Sequence, residues 1–70
     1  MTDFEHVKQQ IEAAYRDSEE GLAPTDKALF VAATYFHDHL KCTDLKLGEQ
    51  LTTAVEVVVF YEYLESKGWV

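Results

Sequence analysis

The sequence predicts an all-α protein built from three helices in one small domain, residues 1–70. Three observations carry this. Apolar residues recur at three- and four-residue spacing in three separate segments, the period of one helix face. The one proline and the three glycines fall between those segments or near their ends. No stretch pairs convincingly with another by polar–apolar alternation, so a strand would lack a mate, and a lone strand is not stable. The expected helices cover about residues 3–18, 26–41 and 47–66. The last two are expected to form an antiparallel hairpin, and a second copy of the chain to complete the bundle.

The first helix opens on Thr2-Asp3-Phe4-Glu5, a capping-box pattern with Thr2 as N-cap and Glu5 three residues on. Phe4, Val7, Ile11 and Ala14 form its apolar stripe, with Tyr15 beside it, while Gln9, Gln10, Glu12 and Arg16 fall outside. Glu12 and Arg16 sit at i,i+4, the spacing of a weakly stabilising ion pair. Asp17, Glu19 and Glu20 then crowd the negative end of the helix dipole, so the helix is expected to fray there and stop at Gly21.

Gly21-Leu22-Ala23-Pro24-Thr25 is the clearest linker, because Pro24 biases Ala23 away from helical geometry. Thr25 or Asp26 is positioned to cap the second helix. There, Leu29, Ala33, Phe36 and Leu40 share one face. Ala28, Val31, Tyr35, His39 and Cys42 share another, and Lys27, Thr34, Asp38 and Lys41 make a narrow polar stripe. A helix apolar round most of its circumference is expected to be the central one.

Cys42-Thr43-Asp44 breaks the pattern, with Thr43 or Asp44 as the expected cap of a third helix. Leu47, Leu51, Ala54, Val55 and Val58 make one stripe, opposite Glu49, Gln50, Thr53 and Glu56. The stretch from Ala54 to Glu65 is rich in β-branched and aromatic residues, which favours a strand by propensity. But its stripe enters at helical period, and no Gly, Pro, Asn or Asp interrupts residues 49–66, so a single helix ended by Lys67-Gly68 is expected. Its apolar face turns partway: Val57, Phe60, Tyr61 and Leu64 point about 100° from the first stripe. That points to two packing partners: the central helix on one face and, on the other, either the short first helix or, as expected from its few apolar residues, a second copy of the chain.

Thirteen acidic and six basic residues give a formal charge of −7. Direct binding to nucleic acid or anionic lipid uses clustered Lys and Arg, whereas the six cations here are spread singly, so neither is expected. No run reaches the ~20 apolar residues of a membrane helix. The polar start argues against a secretory signal, which points to a cytoplasmic protein. Cys42 is the only cysteine, so no intrachain disulfide is available.

Catalytic signatures are missing. No glycine-rich phosphate loop is present, and Cys42 with His39 one turn away has no evident oxyanion partner. His37, His39 and Cys42 are zinc-ligand types, but on a helix His37 and His39 diverge by about 200°. Only His39 and Cys42, at i,i+3, could share an ion, and no metal or other cofactor is expected. Nine aromatics in seventy residues are more than one short chain readily hides. Tyr15, Val57, Phe60, Tyr61, Tyr63, Leu64 and Trp69 are therefore the candidate protein-interface residues, since Tyr and Trp are enriched in interface hot spots. The expected role is a non-enzymatic protein-interaction module. It would be a small acidic inhibitor, adaptor or anti-activator, of the kind phages and mobile elements encode, that binds another protein as a homodimer. One alternative is a mimic of nucleic-acid charge covering the basic face of a target protein. Another is a metal-stabilised small domain.

Overall fold

The fold is described by a computed structural model covering residues 3–18 and 23–70. Helix α1 spans Asp3–Asp17, α2 spans Asp26–Thr34 and runs directly into a π-helical turn at Tyr35–His39, and α3 spans Gly48–Ser66. The three helices pack together, each against the other two. No strand occurs among the described residues, so the segment from Ala54 to Glu65 is helix to its end.

Each helix contributes a short buried row to one core. Val7, Ile11 and Tyr15 come from α1 at i,i+4 spacing, and Ala28, Leu29, Ala32 and Ala33 from α2. Phe36 comes from the π turn, Leu45 from the connector, and Ala54 and Val58 from α3. The alanines let α2 approach its neighbours closely, and Phe36, Ile11, Leu29 and Leu45 fill the remaining volume. Burying one such large side chain is worth roughly 1.5–3 kcal/mol.

The helix ends follow local chemistry. Thr2, Glu19, Glu20 and Gly21 lie outside the described residues, and with them the capping box and the expected fraying. The last turn of α1 is closed by Ser18, whose hydroxyl donates to the Tyr15 carbonyl at 2.5 Å. Arg16 pairs with Glu12, as their spacing predicts. Thr25 is the N-cap of α2, in extended geometry, and its hydroxyl accepts the Ala28 N–H at 3.2 Å.

The helical stretch begun by α2 ends at His39, two residues earlier than its periodicity predicts, and the reason is the π turn. A π turn closes i→i+5 instead of i→i+4, which delays the rotation of side chains about the axis. Leu40 thereby leaves the Leu29–Ala33–Phe36 face and is 49% exposed. Lys41 adopts a left-handed φ of 56°, and the Cys42 N–H closes the turn on the Phe36 carbonyl at 2.9 Å. This bond spans six residues, one more than the usual C-terminal closure. The second apolar face expected on α2 is packed only in part: Ala28 is buried and Cys42 touches the core, but Tyr35 is 45% exposed and His39 is exposed.

The connector also corrects the expected cap of the third helix. Neither Thr43 nor Asp44 caps it. The Asp44 carboxylate instead accepts from Gln10 Nε2 at 2.8 Å, and Gln10 Oε1 accepts the Leu45 N–H at 2.9 Å. This two-point clamp delivers Leu45 into the core, where no periodicity placed it. Leu47 becomes the N-cap residue without a side-chain cap bond, and is 68% exposed instead of the first rung of the stripe. At the far end the expected stop holds. Gly68 takes a φ of 73°, the Trp69 N–H reaches the Leu64 carbonyl at 3.0 Å, and the Gly68 N–H reaches Glu65 at 3.1 Å. These are the two bonds of a Schellman motif.

Candidate protein interface

Helix α3 carries apolar side chains round most of its circumference, and the bundle treats its two flanks differently. Ala54 and Val58 are buried at its centre line. On one flank Val57 and Tyr61 pack partly buried against the core, and Leu64 is half-buried. On the other, Leu51, Val55 and Val59 touch the core at their bases but stay open above it.

The open flank borders α1 and forms a continuous trough. One end is lined by Gln10, Ala13, Ala14 and Asp17 of α1. The middle runs over Ala14, Leu51, Thr52 and Val55, and the far end is walled by Val59, Phe60 and Tyr63. Neighbouring sections share Ala14 and Leu51, then Val55 and Glu56. The ends hold about 470 and 440 Å³, comparable to a small-molecule pocket. But the trough lies open along its length, so it would enclose little of a compact ligand and suits an elongated one.

An aromatic ridge continues from its far end. Phe60 is 62% exposed, Tyr63 49% and Trp69 67%. The Tyr63 and Trp69 rings meet edge to face with centroids 6.1 Å apart, a contact set up by the turn at Gly68. Lys67 Nζ lies 5.6 Å from the Tyr63 ring centroid on the same patch.

The seven sequence-derived candidates therefore divide. Phe60, Tyr63 and Trp69 are brought together on one exposed surface. Val57 and Tyr61 pack partly buried against the core, and Leu64 is half-buried. Tyr15 is 6% exposed, and its hydroxyl donates to Glu62 Oε1 at 2.6 Å, so it has little surface to offer. That bond is structural. Glu62 Oε2 also accepts the Thr25 N–H at 3.2 Å, and Glu65 accepts the Thr25 hydroxyl at 2.9 Å. The two carboxylates hold the start of α2 against α3, where its helix dipole favours negative charge.

Sequence spacing missed part of the trough lining. Ala13, Thr52 and Val59 carry no distinguishing signal, and the depth between two helices is a property of packing. It also missed a second exposed apolar face on α2, where Phe30 is 56% exposed beside Tyr35. Phe4 meets Phe30 edge-on at 5.6 Å and His37 at 5.8 Å.

The histidine–cysteine pair does not share a helix face. The chain leaves helical geometry at Leu40 and Lys41, between His39 and Cys42. His39 leans on the Tyr35 ring, and His37 Nδ1 lies 2.8 Å from Asp38. Among the described residues no three His, Cys, Asp or Glu side chains converge as a metal site. Nor is any described helix long and apolar enough to cross a membrane. The Asp44 carboxyl is held below its ordinary value, mainly by the hydrogen bond from Gln10 and secondarily by Lys46. Comparison with protein-family models, with curated proteins and with solved structures returns no match for this chain.

Proposed function

We propose that the protein is a non-enzymatic interaction module, a small acidic inhibitor, adaptor or anti-activator that works by binding another protein. Its working surface is the α1–α3 trough with the ridge of Phe60, Tyr63 and Trp69. The observation that carries this reading is the continuity of that apolar surface. Scattered single hydrophobic residues on a surface need no explanation, whereas a contiguous patch marks a contact site. Three large aromatics in a row at its end are the residue types that supply binding energy in protein interfaces.

Self-association belongs to the same proposal, with α2 and α3 as an antiparallel hairpin and a second copy completing the assembly. The face of α2 favours it, because Phe30, Tyr35 and Leu40 are exposed there and His37 and His39 stand where the trough has carboxylates. No specific observation favours mimicry of nucleic-acid charge. Glu62 and Glu65 are engaged in bonds to Thr25, and the other acids among the described residues are spread over the three helices, the π turn and the connector.

The test is affinity capture from a lysate of the native host with mass-spectrometric identification, using the wild type and Tyr63→Asp side by side. Tyr63 is exposed, so the variant should fold and lose a partner that the wild type retains. Equal capture by both, or none by either, removes the trough and ridge as the working surface. Sedimentation at ~10 µM settles self-association separately, and a strict monomer sinks the dimer.

A further inference from the structure

We propose that the trough between α1 and α3 seats one amphipathic helix from a partner protein, about three turns long and basic along its edges. This rests on the interaction reading above and names the chemistry of the partner.

Three features select such an occupant. The first is length. The lined part of α3 runs from Leu51 to Tyr63, and at 1.5 Å per residue twelve steps give about 18 Å, or three helical turns. The second is relief. The middle is lined by small and β-branched side chains, Ala14, Thr52 and Val55. Such a lining admits a helix at the 8–10 Å axis separation typical of packed helices. The described residues offer no sheet edge for an extended peptide to join, so helix-in-groove recognition is the mode that fits.

The third is charge. Among the described residues, Asp17 and Glu56 are the charged ones lining the trough, and no Lys, Arg or His lines it. The chain as a whole carries −7. A basic-edged helix would meet both rim carboxylates and be steered by the overall field. A second copy of this chain would bring the same carboxylates and another −7 to the same place. That is why the trough, unlike the α2 face, is assigned to a foreign helix.

The experiment uses the isotope-labelled protein and synthetic peptides of about 18 residues, five helical turns. One has leucine at i, i+3, i+4 and i+7 with lysine elsewhere. A second has glutamate in place of lysine, and a third scrambles the lysine peptide's order. The lysine peptide is expected to bind at least about tenfold more tightly than either control. It should move the amide resonances of Ala13, Ala14, Thr52, Val55 and Val59. Glu56→Lys should weaken it about threefold or more and strengthen the glutamate peptide. Thr52→Arg, which obstructs the trough from an exposed lining position, should abolish binding with the fold intact. Equal binding of the scrambled peptide overturns the proposal, as do shifts centred on Phe30, Val31 and Tyr35, or indifference to Glu56→Lys. A dimer that Thr52→Arg dissociates overturns it too, by placing a second copy in the trough. If the peptides fail while Tyr63→Asp still loses a captured partner, the interaction reading stands and only the basic helix is wrong.

Discussion

The two flanks of α3 have nearly the same composition and different surroundings. Val57 and Tyr61 lie on one side of the buried line through Ala54 and Val58, and Val55 and Val59 lie on the other. All four are half-buried and touch the core. The second pair lines an open trough that leads to Phe60, Tyr63 and Trp69. Apolar content alone does not tell an inner flank from an outer one. What separates them is where the neighbouring helices and the connector fall. Here the clamp of Gln10 on Asp44 and Leu45 ties the connector to α1, while Ala13 and Ala14 leave the α1–α3 side in low relief.

The strongest contrast is between two phenylalanines. Phe36 is fully buried at the π turn, so Phe36→Ala should cost about 3–5 kcal/mol of unfolding free energy. Phe60 stands on the open side, and Phe60→Ala should stay within about 0.5 kcal/mol. Denaturant unfolding of the two variants measures both, and similar losses would mean that the trough is closed. Gln10→Ala comes next. It strands the buried Leu45 N–H, and an unsatisfied buried group costs about 1–3 kcal/mol. The same unfolding curves should show that loss, and a variant as stable as the wild type would remove the clamp as the reason Leu45 is buried.

Gly68→Ala should act more weakly, by about 1 kcal/mol, because a side chain disfavours the left-handed backbone there. No atom crowds a Cβ at this position, so the cost is conformational. Its clearer sign should be a change in Trp69 fluorescence as the ring leaves Tyr63. The smallest effect is on pH. Asp44 is held below its ordinary value of 3.8, chiefly by Gln10. A carboxyl lowered in the folded state stabilises it above the unfolded-state value. That contribution is lost as pH falls from 3.8 through the folded value. The group is exposed, so the slope should be slight. An NMR titration should show the Asp44 pKa rising back toward 3.8 in Gln10→Ala, and an unmoved pKa would deny Gln10 that role.

Much of the architecture was legible in the sequence because helical periodicity and end signals act locally. Val7 and Ile11 fixed the buried row of α1, Thr25 the start of α2, and Gly68 the end of α3. Leu47 to Val58 settled a stretch whose composition favoured a strand. What escaped was non-local or out of phase. Leu45 sits in an aperiodic connector, and its burial depends on a glutamine 35 residues earlier. Leu40 was assigned by a regular period that the π turn interrupts. The interface was half legible: Phe60, Tyr63 and Trp69 stand out as aromatics. Their separation from Tyr61 and Tyr15 depends on which flank the bundle covers.

Two tyrosines two residues apart test that separation most directly. Tyr61→Asp places a carboxylate against the core and Tyr63→Asp places one in water, so their unfolding free energies should differ by about 2–4 kcal/mol. Tyr61→Asp should be the unstable one and Tyr63→Asp close to the wild type. Equal stability of the two variants, or the reverse order, would contradict the assignment of the closed and open flanks.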